Sequence, residues 1–280
     1  AAGLVEIDWE PLTPVTDAES ATDASTPVIH DELGDNLAWQ RNANFGDVDA
    51  AYEEADHVIE ETFIFGRHTG VCLEARGIVA DFNPSEQQLT VWHNNQCPHM
   101  VQNILADKFR LEEHKVRVIT RDVGGSFGIK VHTYADEIAA VGLSILLKRP
   151  VKFIADRLES FVGDIHARDH RVNGKIAVRN DGTITAFEID DLTGIGPYSM
   201  YPRTSGIEAN QIVNMIGGPY SFENYRAVAN VVYQNKAMMC QYRAVGHPIK
   251  CAVTEGLVDK AATAVDMDPA EFRQKNFHPD

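Results

Sequence analysis

The chain has 280 residues, 44% of them hydrophobic, and a formal net charge of −16. That length and composition suit a soluble globular protein with a substantial core. The acidic balance argues against a nucleic-acid or anionic-membrane partner, and no apolar run approaches the length of a membrane span.

Residues 4–9 alternate apolar and polar like a strand with nothing before it to pair with. Residues 13–27, rich in Thr, Ser, Asp, Ala and Pro, read as a linker or surface-hugging arm. Helical spacing follows over 47–55 and a strand over 60–65. Two strands, 78–82 and 89–92, flank an Asn83-Pro84-Ser85 turn. Met100, Ile104 and Leu105 place an apolar face on a helix.

A β-rich run over 115–120 then feeds Gly124-Gly125-Ser126-Phe127-Gly128. Glycines there allow positive φ and close approach of a large group, and the loop's N–H groups can cradle oxyanions. The spacing fits neither a P-loop nor a dinucleotide fingerprint. An apolar-striped helix is expected directly after the loop, carried by Tyr134, Ile138, Val141 and Ile145. A strand over 151–154 and a hairpin at Asn180-Asp181-Gly182 come next. Then follow a strand over 228–233, a helix over 252–265, and a helix start at Asp268-Pro269 with Glu271. Strands and helices mix without a regular βαβ rhythm, so the expected fold class is α+β, with mixed sheets and packed helices.

Cys72, Cys97, Cys240 and Cys251 form no C-x-x-C pair and read as buried thiols in a reducing compartment. No iron–sulfur or zinc-ribbon spacing is present. The expected location is the cytoplasm, with the periplasm left open.

Several separated motifs then agree. They include residues 5–12 and 46–51, Leu73-Glu74-Ala75-Arg76-Gly77, Gln96-Cys97-Pro98-His99, the glycine loop, residues 194–198, and Tyr242-Arg243 with Glu255 downstream. In this order the chain resembles the large, molybdopterin-binding subunit of the xanthine oxidase family of molybdenum hydroxylases. The resemblance implies that residues 1–30 are the last strand of a preceding small domain plus a linker arm. Residues 31–280 would be the first half of the molybdenum-binding region. It implies a molybdenum–molybdopterin cofactor, as the plain pterin or its cytosine dinucleotide form. [2Fe–2S] and FAD are expected on iron–sulfur and flavin partner subunits, and the substrate is an N-heterocycle or an aldehyde.

Residue by residue, Gln96 matches the glutamine that hydrogen-bonds the metal's apical oxo group. Phe127 matches the phenylalanine whose backbone N–H faces the metal's ligands, with Gly124, Gly125, Ser126 and Gly128 forming its loop. Arg243 and Ala244 match the backbone segment beside the molybdenum. Gln96, Phe127 and Arg243 would thus surround the metal's ligands rather than bind the metal.

The departures are informative. Purine hydroxylases carry a substrate-gripping glutamate where Val131 stands, so xanthine is disfavoured. Carbon monoxide dehydrogenase carries a copper-bearing cysteine where Ala244 stands. Val245 replaces a common aromatic residue, so Val131 and Val245 are expected to shape the substrate pocket. The family often has glycine at the positions of Ser126 and Ile129. Its catalytic base, a glutamate in a Gly-x-Gly-Glu sequence, has no match here, and Glu255 is a different family glutamate. No catalytic residue is therefore assigned to this chain; a second molybdopterin-binding chain or segment would supply the base. Two other readings stand beside this one. One is a catalytically degenerate scaffold. The other is a zinc-dependent hydrolase using His132 and Asp136, four apart on the helix after the loop, with His93 and His99 nearby. His166 and His170 read as a polar loop or helix edge.

Overall fold

The computed structural model describes residues 2–279. In chain order it forms strand β1 (Leu37–Phe45), helix α1 (Val48–Glu53), and strands β2 (His57–Phe65), β3 (Gly77–Asn83) and β4 (Gln88–His93). Helix α2 (Pro98–Phe109), strand β5 (Val116–Ile119), helix α3 (Ala135–Leu147), strand β6 (Val151–Ile154) and helix α4 (Arg157–Gly163) follow. The rest comprises β7 (His170–Val178), β8 (Ile184–Gly194), α5 (Ile207–Met215), β9 (Asn224–Val232), α6 (His247–Ala264) and α7 (Pro269–Asn276).

The strands form two mixed sheets, ordered β1-β9-β8-β7-β2 and β5-β4-β3-β6. The α+β expectation holds. Alternation explains the first sheet's buried face: Val172, Ile176, Phe187, Ile189, Ala227 and Val231 point one way, onto Ile212, Val253, Leu257 and Phe272 of α5, α6 and α7. Each large apolar side chain buried there contributes about 1.5–3 kcal/mol. In the second sheet Ile78, Ala80, Leu89 and Val91 pack on Val101 and Leu105 of α2 and Val141 of α3.

Two parallel pairs position the site. β4 and β5 run parallel, joined through α2; β8 and β9 run parallel, joined through α5. Parallel neighbours need such a crossover. It leaves the carboxyl ends of both strands at one edge, where α/β sheets open crevices. A small third core lies between the sheets, built from Cys72, Ile129, Tyr134, Ile165, Met200 and Cys240.

Residues 4–9 pair with no strand among the described residues. Three expectations are corrected. The stretch after the glycine loop is a 3₁₀ turn, Ile129–Val131, with α3 starting only at Ala135. Gly128 at φ +102 breaks the path, so Ile129 and Lys130 both turn inward and are buried. His170 is no loop or helix edge; it opens β7 and is buried. In the 13–27 arm, Val15 and Ala21 are buried against Val232. Cys97 is half-buried and Cys251 exposed, whereas Cys72 and Cys240 are the buried thiols expected.

Candidate functional site: a donor-lined crevice between the sheets

Gln96 lies three residues beyond the end of β4, and the glycine loop leaves the end of parallel β5. Strand order therefore brings them together. The backbone N–H of Gln96 donates to Lys130 O at 3.1 Å. Its side-chain Oε1 accepts from Gly128 N–H at 3.2 Å and from the Ser126 hydroxyl. The backbone N–H can only donate, so the amide's orientation is set: oxygen to the loop, and Nε2 with two uncommitted donors.

Local backbone geometry explains the glycines. Gly125 lies at φ +100, Phe127 at +53 and Gly128 at +102. A β-carbon on Gly128 would stand 2.4 Å from Gln241 O. The N–H groups of Gly125, Ser126 and Phe127 make no hydrogen bond among the described residues. Three successive uncommitted N–H groups on such a path form an anion-receiving concavity.

The loop is clamped from behind by residues 72–76. Gly124 N–H donates to Glu74 Oε2 at 2.8 Å, and Glu74 N–H donates back to Gly124 O at 3.0 Å. The buried ammonium of Lys130 reaches the same carboxylate oxygen at 2.7 Å. Burial acts to raise the Glu74 pKa, but Lys130 and Gly124 outweigh it and hold the carboxyl below its ordinary range. The strap is anchored by Arg76, fully buried over the Tyr134 ring at 3.7 Å. Arg76 binds Asp136 (2.8 Å), Glu137 (2.9 Å) and Asp164 (2.6 Å).

The third wall comes after β9. Arg243 N–H donates to Phe127 O at 2.9 Å, and the Arg243 guanidinium stands 6.0 Å from the Phe127 ring centre. Gln96, Phe127, Arg243 and Ala244 are exposed and Val245 is half-buried. Val131 is buried in the 3₁₀ turn behind the loop.

The zinc alternative loses its geometry. His132 precedes α3 rather than lying on it, and both Asp136 oxygens are taken by Arg76. His132 is wholly buried, neither ring nitrogen has a hydrogen-bond partner, and burial, with the Arg203 charge, pushes its pKa down to about 4. No group of three or more metal-ligating side chains occurs among the described residues.

The motifs that suggested the site did not reveal its supports. Glu74 and Arg76 stood in a quoted motif, but their roles depend on partners 50 to 88 positions away. Nothing local marked Lys130, Arg168 or Glu208 as buried ions.

The uncommitted N–H groups of Gly125, Ser126 and Phe127, gathered beside the Gln96 amide, offer donors suited to an oxygen-rich anionic group. The molybdopterin cofactor-binding domain model matches residues 29–277, and the chain belongs to that family. It is 32% identical over 278 residues to the nicotine 6-hydroxylase large subunit of Paenarthrobacter nicotinovorans, covering 99% of this chain and 34% of that protein. It is 30% identical to the nicotinate dehydrogenase large molybdopterin subunit of Eubacterium barkeri, covering 99% of this chain and 64% of that one. The crystal structure of quinoline 2-oxidoreductase from Pseudomonas putida 86 superposes with a TM-score of 0.94 at 31% identity, over 99% of this chain and 35% of that one. The chain thus spans about a third of the nicotine 6-hydroxylase and quinoline 2-oxidoreductase chains.

Proposed function

We propose that the crevice forms one wall of the active site of a molybdenum hydroxylase that oxidises an N-heterocycle or an aldehyde with water-derived oxygen. The observation that carries this reading is the convergence of the Gln96 amide, the Gly125–Phe127 N–H groups and the Arg243 segment on one exposed face. This donor set fits a molybdenum–molybdopterin group, whose oxygen ligands and phosphate need donors and add negative charge. When bound, that cofactor supplies the oxygen-transfer and two-electron redox chemistry.

The chain's own residues would orient and discriminate. Gln96 Nε2 would donate to an oxygen ligand of the metal without adding charge. The loop N–H groups and that of Ala244 would fix the cofactor's position, the Arg243 N–H being spent on Phe127 O. Val131 puts an apolar, buried side chain where a purine-gripping carboxylate would stand. Val245, lacking an aromatic ring, leaves room for a flat heterocycle. The N-heterocycle preference draws support from the nicotine, nicotinate and quinoline enzymes this chain resembles.

The proton-accepting base is proposed to come from outside these residues. Glu74 is committed to Lys130 and Gly124, and the buried Glu208 to Arg168. Glu255 accepts from Tyr220 and Arg273, away from the crevice. Partner segments or subunits would supply the base, the iron–sulfur clusters and the flavin. The cofactor's nucleotide form and a cytoplasmic location belong to the same proposal. No helix among the described residues is long and apolar enough to cross a membrane.

The test incubates the natively purified assembly with nicotine, nicotinate, quinoline or an aromatic aldehyde, a dye acceptor and heavy-oxygen water. Hydroxylated product carrying the heavy oxygen is the expected result. Product labelled only from molecular oxygen contradicts the reaction class.

A further inference from the structure

Two successive residues of the crevice wall occupy backbone conformations that L-residues avoid. Ala244 lies at φ +66 and Val245 at φ +51. For a β-branched residue this is a true outlier, and such strain persists only where surroundings impose it. The local hydrogen bonds, Val245 N–H to Tyr242 O at 2.6 Å and His247 N–H to Ala244 O at 3.0 Å, close the turn. They come from within the segment itself, so the imposed shape needs a hold from elsewhere.

Arg243 N–H is held by Phe127 O and Gly246 N–H by Gln211 Oε1 at 2.9 Å, but the hold on the carbonyls flanking Ala244 is Arg168. Its Nη2 donates to Arg243 O at 2.9 Å and its Nη1 donates to Val245 O, gripping the carbonyls on both sides of Ala244. The guanidinium lies 5.6 Å from the Tyr242 ring centre. Arg168 is itself aimed by Glu208, a fully buried residue in the first turn of α5. One Glu208 oxygen accepts from Arg168 Nη1, the other from the Arg168 backbone N–H at 3.0 Å. Behind Glu208 stands His170, with Nε2 3.4 Å from Oε2 and Nδ1 2.8 Å from Asp191 Oδ1. The chain of contacts runs from the core of the five-stranded sheet to the crevice wall, and it alternates acid and base throughout.

We infer that Arg168 is a positioning residue: its planar fork, aimed by Glu208, imposes the shape of the Arg243–Val245 wall that receives the cofactor. A guanidinium can serve two carbonyls and a carboxylate at once because its five donors lie in a fixed plane; an ammonium supplies the charge without the fork. The inference rests on the crevice reading above for what the wall receives, but the hold itself does not depend on it.

The test compares the wild-type chain, Arg168→Lys, and Arg168→Lys combined with Ala244→Gly, each in its natively purified assembly. Hydrogen exchange is followed across residues 240–250, and bound molybdenum is measured in parallel. Lysine keeps a charge beside Glu208, so the core stays paired. Exchange at Val245 and His247 should rise by about tenfold or more in Arg168→Lys, with α3 unchanged. Ala244→Gly should pull it back toward wild type, because glycine adopts positive φ without strain. Molybdenum content should fall and recover with it. Unchanged exchange in Arg168→Lys overturns the inference. Changed exchange with unchanged molybdenum upholds the hold and overturns the crevice reading instead. Should Arg168→Lys not fold, Ala244→Gly alone decides: slower or equal exchange upholds an imposed strain, and faster exchange overturns it.

Discussion

Arg243 donates its backbone N–H to the carbonyl of Phe127 at 2.9 Å, and this bond ties the loop beyond β5 to the segment beyond β9. The two residues are 116 positions apart and come from different sheets. Each sheet alone would present only one side of a cofactor site. The bond makes the crevice a property of their junction, so changes at the junction should act on cofactor retention before they act on the fold.

Gln96 separates these two effects. Gln96→Glu keeps the acceptor for Gly128 N–H and Ser126 but removes both Nε2 donors. Turnover should fall by about tenfold or more while the melting temperature stays within a few degrees of wild type. Gln96→Ala removes both kinds of contact and should also lower activity, with a stability loss of only about 1 kcal/mol because the site is exposed. Steady-state kinetics and calorimetry check this; wild-type turnover in Gln96→Glu would rule out a donor role.

Gly128→Ala tests the loop. Its added carbon would meet Gln241 O at 2.4 Å, at a φ of +102. Both clash and strain disfavour the native path, by about 1–3 kcal/mol. Loss of bound cofactor is the expected outcome, read from the visible absorption and metal content of the assembly. Gly125→Val, at φ +100, should do the same. Full loading in both variants would make the loop merely structural.

The strap behind the loop depends on one guanidinium. Arg76→Met would leave Asp136, Glu137 and Asp164 without their shared cation. Removing one partner of a buried ion pair costs on the order of 3–5 kcal/mol. Urea unfolding should show a loss of that size, whereas Arg171→Met, at an exposed pair with Glu19, should change stability by less than about 1 kcal/mol.

Two buried histidines set opposite limits on the pH range of stability. Burial acts to lower the His170 pKa, but the Asp191 charge and hydrogen bond, with Glu208, outweigh it and raise it to about 9. Its folded pKa lies above the unfolded value of 6.5, so its contribution is complete below 6.5 and lost as pH rises toward 9. His132 is shifted the other way, to about 4, by burial and by Arg203. Its contribution is complete above 6.5 and lost as pH falls toward 4. Melting temperatures measured across pH should therefore decline on both sides, and Asp191→Asn should flatten the alkaline decline. An alkaline slope unaffected by that variant would remove His170 as its source.

Much of the architecture was readable because periodicity and turn chemistry are local. The hairpin at Asn180-Asp181-Gly182 joins β7 to β8 with Gly182 at φ +84, and Asp268 caps α7 by accepting from Ala270 and Glu271. Other elements gave no such signal. β1 is an edge strand rich in Gln, Arg and Asn, half-exposed along its length. α4 leaves Leu158, Phe161 and Val162 exposed, so its apolar residues do not mark a buried face. α5 carries Asn210, Gln211 and Asn214 and buries a glutamate, which hides its amphipathic pattern. The crevice residues were legible through their motifs. Their supports, Arg76 with three acids and Arg168 with Glu208, His170 and Asp191, were not, because a buried ion is defined by partners that only the tertiary fold brings near.

The most direct measurement is molybdenum by plasma mass spectrometry in the assembly purified natively through this chain, for wild type and Gly128→Ala side by side. About one molybdenum per chain in the wild type, and little in the variant, is the predicted result. A fully assembled wild-type complex without molybdenum would contradict the account and favour a scaffold that keeps the fold without the cofactor.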